Sequence, residues 1–416
     1  MSAFAYRGGE LFVEEIPLAS IAKRFGTPAY VYSRATLESN YIAFDRALSA
    51  IPHLVCYAMK ANANLAVLNV FATLGSGFDI VSQGELARVI AAGGDPARTL
   101  FSGVGKTTDE MRAALTAGVH CFNVESASEL ARLANVAAAV GRRARIGIRV
   151  NPDVDPRTHR YIATGSKETK FGVAFEEALP LYRHAASVAS LDVIGIDIHL
   201  GSQITELEPF REATRKVLTL VDELARERIV LSHVDVGGGL GIRYRDEVTI
   251  ALPAYANMLA DLFAGRRERV LVEPGRRLVG DAGVLVTRVD YLKRGSARNF
   301  AIVDAAMNDL IRPALYDAWH PVDPVRPRDG DVERFDIVGP VCESADFLAR
   351  DRMLSIDEGD LLAIGAAGAY AMAMSSNYNA RPRPCEVLVD GEKAHLVRRR
   401  ETIAELFDSE SLPPSK

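Results

Sequence analysis

The sequence lacks the features that would tie it to zinc, a disulfide framework, a membrane or a nucleic acid. Its four cysteines include no CxxC pair, which argues against a structural metal site and against a disulfide-stapled fold. No apolar run approaches the ~20 residues of a membrane span, and the first residues have neither a cationic start nor an apolar signal core. There is no basic block, and the net charge is -5. We expect a cytoplasmic protein with reduced thiols.

The length and the pattern of the chain predict two domains. A chain of 416 residues exceeds what one hydrophobic core usually organises. From residue 53 onwards, short apolar runs alternate with helical patterns. After residue 280, short strand patterns, among them the run LLAIGAAGAYAM, follow one another with little helix between them. We expect a first domain over residues 30–280. A second, mostly antiparallel β domain should comprise residues 1–29, which contain a hairpin turning at Gly8-Gly9, together with residues 281–416.

The first domain is predicted to be a (β/α)8 barrel of the TIM type. Eight near-continuous apolar strands that alternate with helices suit a parallel sheet covered on both sides, and eight is the number that closes such a barrel. An open doubly wound sheet is the competing fold, but no strand–GxGxxG–helix unit opens the series. The predicted strands are residues 53–59, 78–82, 99–104, 120–126, 145–151, 192–202, 231–239 and 269–276.

Polar and glycine residues follow most of the predicted barrel strands where each strand ends. The carboxyl ends of the strands share one face of a barrel, and that face holds the active site in enzymes of this fold. The sequence therefore predicts a functional site there. The residues concerned are Lys60, Ser82, Glu125, Asn151, His199, Ser202, Gly237, Gly238, Gly239, and Glu273 through Gly275 to Arg276.

Two glycine-bearing turns follow strands seven and eight. DVGGGLG contains Gly237, Gly238 and Gly239, and VEPGR contains Gly275. Barrels often bind phosphate in these two loops, because a backbone without side chains lets amide N–H groups point at the phosphate oxygens. The alternative is that the glycines only permit tight turns. Because both loops have glycine at the expected strands, we favour a phosphate site.

A lysine, a phosphate site and a carboxylate on one barrel face predict pyridoxal 5'-phosphate (PLP). Lys60 would attack the aldehyde to form an imine, and Glu273 would keep the pyridine nitrogen protonated so that the ring accepts electrons. His199 is either a stacking partner for the ring or a hydrogen-bonded core histidine. Lys60 on its own would be interpreted as a solvated lysine at a strand end.

Further motifs run along nearly the whole chain: YAMKAN, the loop NPDVDPRTHRYIATGSKETKFGV, HLGSQI, DVGGGLG, VEPGR, GPVCESAD and GAYAMAMSSNYN. In their order and spacing, these motifs resemble the meso-diaminopimelate decarboxylase family, which consists of fold-type III PLP enzymes of lysine biosynthesis. The resemblance implies that Lys60 binds PLP covalently, His199 stacks on the ring and Glu273 pairs with the ring nitrogen. It implies phosphate contacts from Gly239, from the backbone of Gly275 and Arg276, and from Tyr370.

The resemblance also implies a substrate site and a proton donor. Arg276, Arg312, Tyr316, Glu343 and Tyr370 would contact the substrate, and Cys342 would return a proton to the α-carbon. Without the motif around it, Cys342 would be interpreted as an inert buried cysteine. In this family the segment with Cys342 and Glu343 reaches the neighbouring subunit, so the resemblance implies a homodimer with composite active sites. The loop from Asn151 to Gly172 is a candidate lid.

Other functions are compatible with part of the pattern. A non-catalytic PLP-binding protein would share the lysine and the phosphate loops, but would lack the β domain with its cysteine and arginines. A fold-type III racemase would place an arginine at the pyridine nitrogen, where this sequence has Glu273. The nearest alternative is a decarboxylase for ornithine, arginine or carboxynorspermidine. The segment IRPALYDAW favours a substrate with a distal carboxylate: if it is helical, Arg312 and Tyr316 lie on one face, suited to that carboxylate beside Arg276.

Overall fold

The computed structural model describes residues 3–155 and 170–414, which form two compact units. One unit is Glu38–Leu278, and the other combines Met1–Leu37 with Val279–Lys416. Most of the predicted lid falls on residues 156–169 and so lies outside the described residues. Across the described ranges, no helix combines the length and the apolar composition needed to cross a membrane.

The chain begins with a small antiparallel sheet, as the Gly8-Gly9 pattern predicts. Its strands are β1 (Phe4–Arg7), β2 (Glu10–Val13) and β3 (Ile16–Pro17), followed by α1 (Leu18–Phe25) and β4 (Ala29–Ser33). Strand β4 pairs with strands of the β unit, so the predicted boundary at residue 30 cuts through a strand of that unit. The Ser33 hydroxyl accepts a hydrogen bond from the Thr36 amide and caps the next helix.

The unit Glu38–Leu278 contains a closed barrel of eight parallel strands within the described residues, which confirms the predicted fold. Neighbouring strands pair in parallel around the ring, and the last strand pairs with the first. A two-residue strand, β10 (Val173–Ala174), pairs with β9 outside the ring. The barrel strands are β5 (His53–Ala58), β6 (Gly77–Ile80), β7 (Thr99–Phe101), β8 (Cys121–Val124), β9 (Ala144–Asn151), β11 (Leu191–Asp197), β12 (His233–Asp235) and β13 (Arg269–Val272).

Helices connect the barrel strands and begin at polar caps in the sequence. The side chains of Asn64, Ser82, Thr107 and Ser126 each accept a hydrogen bond from an amide in the first turn that follows. These caps satisfy amides that have no intrahelical partner. The helices are α2 (Arg34–Ala47), α3 (Leu65–Thr73), α4 (Gln83–Ala91), α5 (Thr108–Ala117), α6 (Ala127–Ala139), α7 (Phe175–Ser187), α8 (Glu208–Arg226), α9 (Leu252–Leu262) and α10 (Arg276–Val279).

The β unit is mostly antiparallel, as predicted, with two parallel pairs in its large sheet. The long strand β14 pairs with β4, β15 and β19, while β15 with β17 and β4 with β20 are the parallel pairs. Its elements are β14 (Gly283–Arg294), β15 (Asn299–Val303), α11 (Arg312–Tyr316), β16 (Val322–Pro324), β17 (Glu333–Val338), β18 (Phe347–Leu354), β19 (Leu361–Ile364), β20 (Cys385–Asp390) and β21 (Lys393–Arg398).

Two details of the β unit differ from the sequence prediction. The N-terminal hairpin forms its own three-stranded sheet and joins the unit through the Leu11 amide, which donates to the Val325 carbonyl at 2.8 Å. The run LLAIGAAGAYAM continues as a strand only to Ile364, because Ala366 and Tyr370 take positive φ angles of 50° and 55° that no strand accommodates. Its second half therefore becomes an irregular loop.

Candidate active site

Lys60 lies at the mouth of the barrel, in a single 3-10 turn (Met59–Ala61) that follows β5 directly. Its Nζ is 2.9 Å from Oδ2 of Asp79, the third residue of β6. The Lys60 side chain is 36% exposed, whereas the Asp79 side chain is buried. The ion pair therefore holds a reachable amine in a fixed direction at the mouth of the barrel.

Three buried carboxylates lie behind this amine. Asp197 ends β11, Asp235 ends β12 and Glu273 follows β13, and each offers an oxygen within 4.8 Å of the others. Burial and then Asp235 raise the pKa of Glu273 well above its ordinary value, and burial and then Asp197 do the same for the pKa of Asp235. Burial raises the pKa of Asp197 to about 7 although Arg149 opposes it. The cluster therefore retains protons near neutral pH.

Arg149 at the end of β9 connects this cluster to Glu125. Its Nη1 is 3.2 Å from a Glu125 oxygen, and its Nε is 3.8 Å from Asp197. Glu125 also accepts hydrogen bonds from the amides of Gly103 at 2.9 Å and Gly172 at 3.0 Å. Glu125 thus fixes the ends of three barrel loops and is buried while doing so.

Two other residues predicted from their place at strand ends also serve local structure. Ser82 caps α4 by accepting from the Glu85 amide at 3.2 Å. Asn151 accepts from the Asp153 amide at 2.9 Å. These contacts shape the loops at the barrel mouth and assign neither residue a chemical role.

His199 is fixed as a neutral ring by the glycine loop after β12. Its Nδ1 accepts a hydrogen bond from the Gly238 amide at 3.1 Å, so a neutral ring has its proton on Nε2. Burial, followed by the charges of Lys60 and Arg149, lowers the pKa of His199 well below its ordinary value. A neutral, oriented imidazole can lie against a planar ligand without adding charge to the site.

The predicted phosphate loops have glycines because side chains would not fit. A Cβ on Gly238 would lie 2.1 Å from the Glu273 carbonyl oxygen, and one on Gly239 would lie 2.4 Å from that of Gly201. Gly237 and Gly239 also have φ angles of +70° and +106°. The glycines therefore let the backbone after β12 approach the neighbouring loops, which is the property that an oxyanion-binding loop requires.

Arg276 and Ser202 meet at the same end of the barrel. Arg276 follows Gly275 after β13, and its guanidinium donates to the Ser202 hydroxyl at 2.9 Å and to the Tyr244 hydroxyl at 2.5 Å. The Gly275 backbone faces the β5 end, where a Cβ would lie 3.2 Å from the Ala58 carbonyl oxygen. A buried guanidinium held by two hydroxyls is positioned to meet an anion.

The remaining predicted residues lie in the β unit. Cys342 is exposed there, and its amide donates to the side-chain oxygen of Asn379 at 2.9 Å. Glu343 accepts from the Ser344 amide at 3.0 Å. Tyr370 keeps a left-handed backbone with φ of 55°, an unusual state for a bulky side chain and one that often marks functional positions.

Arg312 and Tyr316 form the two ends of α11, as predicted for a helical IRPALYDAW segment. Arg312 is buried and Tyr316 is partly exposed. Their i, i+4 spacing puts both side chains on one face of the helix.

Comparison with known proteins identifies this chemistry. A family profile described as "Pyridoxal-dependent decarboxylase, pyridoxal binding domain" matches residues 34–280. Diaminopimelate decarboxylase from Pseudomonas aeruginosa is 59% identical over 414 residues, which cover 100% of both chains. The chain belongs to the pyridoxal-dependent decarboxylase family. It is a PLP-dependent carboxy-lyase, and its full-length match places it with the diaminopimelate decarboxylases of that family.

Solved structures agree with this family assignment. Diaminopimelate decarboxylase from M. jannaschii in complex with L-lysine has a TM-score of 0.94 at 36% identity, covering 100% of this chain and 99% of that one. The Helicobacter pylori enzyme complexed with L-lysine has a TM-score of 0.92 at 40% identity, covering 94% of this chain and 99% of that one. This decarboxylase therefore shares both barrel and β domain with its relatives.

The barrel residues fit the PLP that the family uses. Oε1 of Glu273 is buried and has no hydrogen-bond partner among the residues that the structure describes, so the site provides an acceptor for a ring N–H. The glycine loops after β12 and β13 present backbone without side chains, which suits the close approach of a phosphate, and Lys60 offers an amine at the same end of the barrel. Each of the three parts of the cofactor thus has a chemically matching group.

Several residues of this decarboxylase site were not singled out by the sequence analysis. Asp79, Asp197, Asp235 and Arg149 are charged residues inside otherwise apolar barrel strands. That placement was a usable signal, because a charge in a buried strand requires a partner or a function.

Proposed function

We propose that this decarboxylase converts meso-2,6-diaminopimelate into L-lysine and CO2, the last step of lysine biosynthesis, in the cytoplasm. The observation behind the proposal is the placement of Lys60 and Glu273 at the ends of the first and last barrel strands, in a chain that matches named diaminopimelate decarboxylases over its whole length. Two structural relatives of this chain are complexes with L-lysine. A ligand of that kind retains the distal amino-acid group of diaminopimelate.

Lys60 would hold the cofactor through its Nζ. When bound, PLP supplies a protonated conjugated ring that accepts the electron pair left behind by CO2. Lys60 must lose a proton before its Nζ can act as a nucleophile, and Asp79, whose Oδ2 lies 2.9 Å away, holds the Nζ in place.

Glu273 and the carboxylates beside it supply the acceptor for the ring N–H. Placing an additional negative charge within 4.8 Å of two other buried carboxylates is unfavourable, so Glu273 is ionised only when a positive group lies against it. Asp235 stays in place by accepting from the Gly237 amide at 2.8 Å. The barrel thus favours a protonated ring nitrogen as the partner of Glu273.

His199 and the glycine loops hold the reacting group in one orientation. The neutral His199 ring, fixed by the Gly238 amide, covers one face of a planar ligand, and the backbone of Gly239 and Gly275 meets the phosphate. The backbone of Arg276, together with Tyr370 and Ser202, would complete the phosphate contacts. A ligand held in one orientation would present the bond that breaks to the electron-accepting ring in a fixed direction.

Cys342 is the proposed proton donor. Its thiol gives a proton to the carbon that lost CO2, and the resulting thiolate regains one from solvent. Glu343 takes the distal ammonium of the substrate, while Arg312, Tyr316 and Arg276 take its distal carboxylate. Cys342 and Glu343 are proposed to act in the active site of a second subunit, which makes the enzyme a homodimer with composite sites.

The substrate proposal is tested by measuring CO2 release from a panel of amino acids. The holoenzyme is expected to prefer meso-diaminopimelate over ornithine, arginine, lysine and carboxynorspermidine by ~10³-fold or more in kcat/KM. The other substrates would leave polar groups of the substrate site unpaired. If ornithine were turned over equally well, the protein would instead be assigned as a decarboxylase for ornithine or a similar basic amino acid. If no substrate released CO2 although PLP was fully bound, the protein would be a non-catalytic PLP-binding protein.

The composite site is tested by mixing two inactive variants. If Lys60 and Cys342 of different subunits form one site, Lys60→Ala and Cys342→Ala proteins should regain activity after subunit exchange. Random pairing makes half of the dimers mixed, and each mixed dimer has one intact site of two, so about a quarter of wild-type activity is the ceiling. Subunit exchange is verified with mass-tagged subunits. If exchange occurs and no activity is recovered, Lys60 and Cys342 of the same chain form the active site.

A further inference from the structure

His320 is buried in the β unit and bridges the substrate arginine to the sheet. Its Nε2 is 2.9 Å from an Nη of Arg312, and its Nδ1 is 2.9 Å from the carbonyl oxygen of Gly365. The imidazole has no exposed surface, and Arg312 is buried as well. His320 lies outside the motifs that resemble the family and follows no barrel strand.

The two contacts fix the protonation state of the ring. A carbonyl oxygen only accepts, so Nδ1 carries the hydrogen that Gly365 receives. A guanidinium only donates, so Nε2 must present its lone pair to Arg312. Both bonds are satisfied by one neutral tautomer, and His320 therefore holds the guanidinium without bringing a negative charge to it.

The surroundings of His320 keep the ring itself in place. Its backbone carbonyl accepts from the Arg352 guanidinium at 2.9 Å, and that guanidinium lies 4.2 Å from the centre of the Trp319 ring. The Gly365 amide donates to the Pro321 carbonyl at 2.9 Å, next to the pairing of β16 with β19. His320 is therefore attached to the β16–β19 strand pair both through its own backbone and through the hydrogen bond from its ring to Gly365.

We infer that His320 is a positioning residue that aims Arg312 at the distal carboxylate of the substrate. The inference rests on the proposed function, which gives Arg312 that carboxylate. Arg312 belongs to a helix of only five residues, so its direction depends on contacts outside the helix. A neutral acceptor is suited to this task, because a carboxylate at the same place would compete with the substrate for the guanidinium.

Two substitutions separate positioning from packing. His320→Phe keeps the ring volume and removes both nitrogen atoms, whereas His320→Gln fits the core less well but retains an acceptor that can reach Arg312. If His320 positions Arg312, the KM for meso-diaminopimelate should rise ~10- to 100-fold in His320→Phe and less in His320→Gln, with kcat within about threefold. A purely structural role predicts the opposite order, because phenylalanine fills the space better.

Ligand binding to the holoenzymes supplies a readout that does not depend on turnover. L-lysine retains the carboxylate that Arg312 would bind, and 1,5-diaminopentane offers the same amines without it. In His320→Phe the dissociation constant of L-lysine, measured by calorimetry, should rise by the same factor as KM, while that of diaminopentane should change less than about twofold. His395→Gln, on the exposed strand β21, is the matched control and should change neither constant.

Each outcome decides the inference. The inference would be overturned by equal losses of affinity for both ligands, by no loss of affinity for L-lysine, or by a smaller rise of KM in His320→Phe than in His320→Gln. Melting temperatures and PLP content identify a variant that has lost its fold. If His320→Phe does not fold, His320→Gln and the two ligands still decide. Failure of the proposed function is distinguished by the wild type: no turnover of diaminopimelate contradicts that proposal, whereas a wild type that does not prefer L-lysine over diaminopentane contradicts the inference.

Discussion

Replacing Lys60 with alanine is expected to lower kcat/KM by at least ~10⁴-fold, the scale on which enzymes lose activity when a covalent catalytic group is removed. The purified wild type should be yellow, and borohydride should fix PLP to the peptide that contains Lys60. Lys60→Ala should show no such link, because the amine at the mouth of the barrel is gone. The measurements are steady-state kinetics and mass spectrometry of the reduced, digested protein.

Two controls keep this prediction specific. Lys60→Arg retains a cation beside Asp79, so loss of activity in that variant cannot be attributed to leaving the buried carboxylate without its charge partner. Lys393→Ala removes an exposed lysine from β21 and should change neither the colour nor the rate. A borohydride-stable link that persists in Lys60→Ala would assign the cofactor to a different lysine.

The barrel could be predicted from sequence because its signals are local and repeated. Every barrel strand is a short apolar run followed by a helical pattern, and helix caps such as Ser82 and Thr107 mark where helices begin. Strand ends converge on one face of any (β/α)8 barrel, so Lys60, His199 and Glu273 could be assigned to one face before the structure was known.

The carboxylate cluster could not be predicted in the same way. Asp197 and Asp235 lie on neighbouring strands in the barrel but 38 positions apart in the chain. Their closeness depends on the register between β11 and β12, in which Asp197 pairs with Asp235, and no local pattern states that register. The raised pKa values follow from this register and from burial.

The late loop shows a second limit of sequence reasoning. LLAIGAAGAYAM is a continuous apolar run, and such a run predicts a buried strand. In the structure the strand ends at Ile364, and the chain leaves the sheet there. A Cβ on Gly368 would lie 1.8 Å from the Val279 carbonyl oxygen, which shows how closely this loop approaches the start of β14. Such contacts between distant segments decide the backbone, and they are visible only in the folded unit.

Replacing Arg312 with alanine is expected to remove most of the preference for meso-diaminopimelate. The distal carboxylate of that substrate must be paired once water is excluded, and removing one partner from a buried ion pair costs about 3–5 kcal/mol. We therefore expect kcat/KM for diaminopimelate to fall ~10³-fold, while the slow turnover of L-lysine and L-ornithine changes little, because as substrates these amino acids have no distal carboxylate.

The specificity of this result depends on where Arg312 stands. It is buried at the start of α11 and held by His320 at 2.9 Å, so its loss removes a guanidinium of fixed direction. Arg334→Ala, which removes an arginine whose side chain is 72% exposed in the same unit, should leave the preference unchanged. The three substrates are compared by kcat/KM in wild type and both variants. Equal kcat/KM values for ornithine and diaminopimelate in the wild type, or an unchanged preference in Arg312→Ala, would contradict the role of Arg312 in the substrate site. Neither result would affect the roles of Lys60 and Glu273.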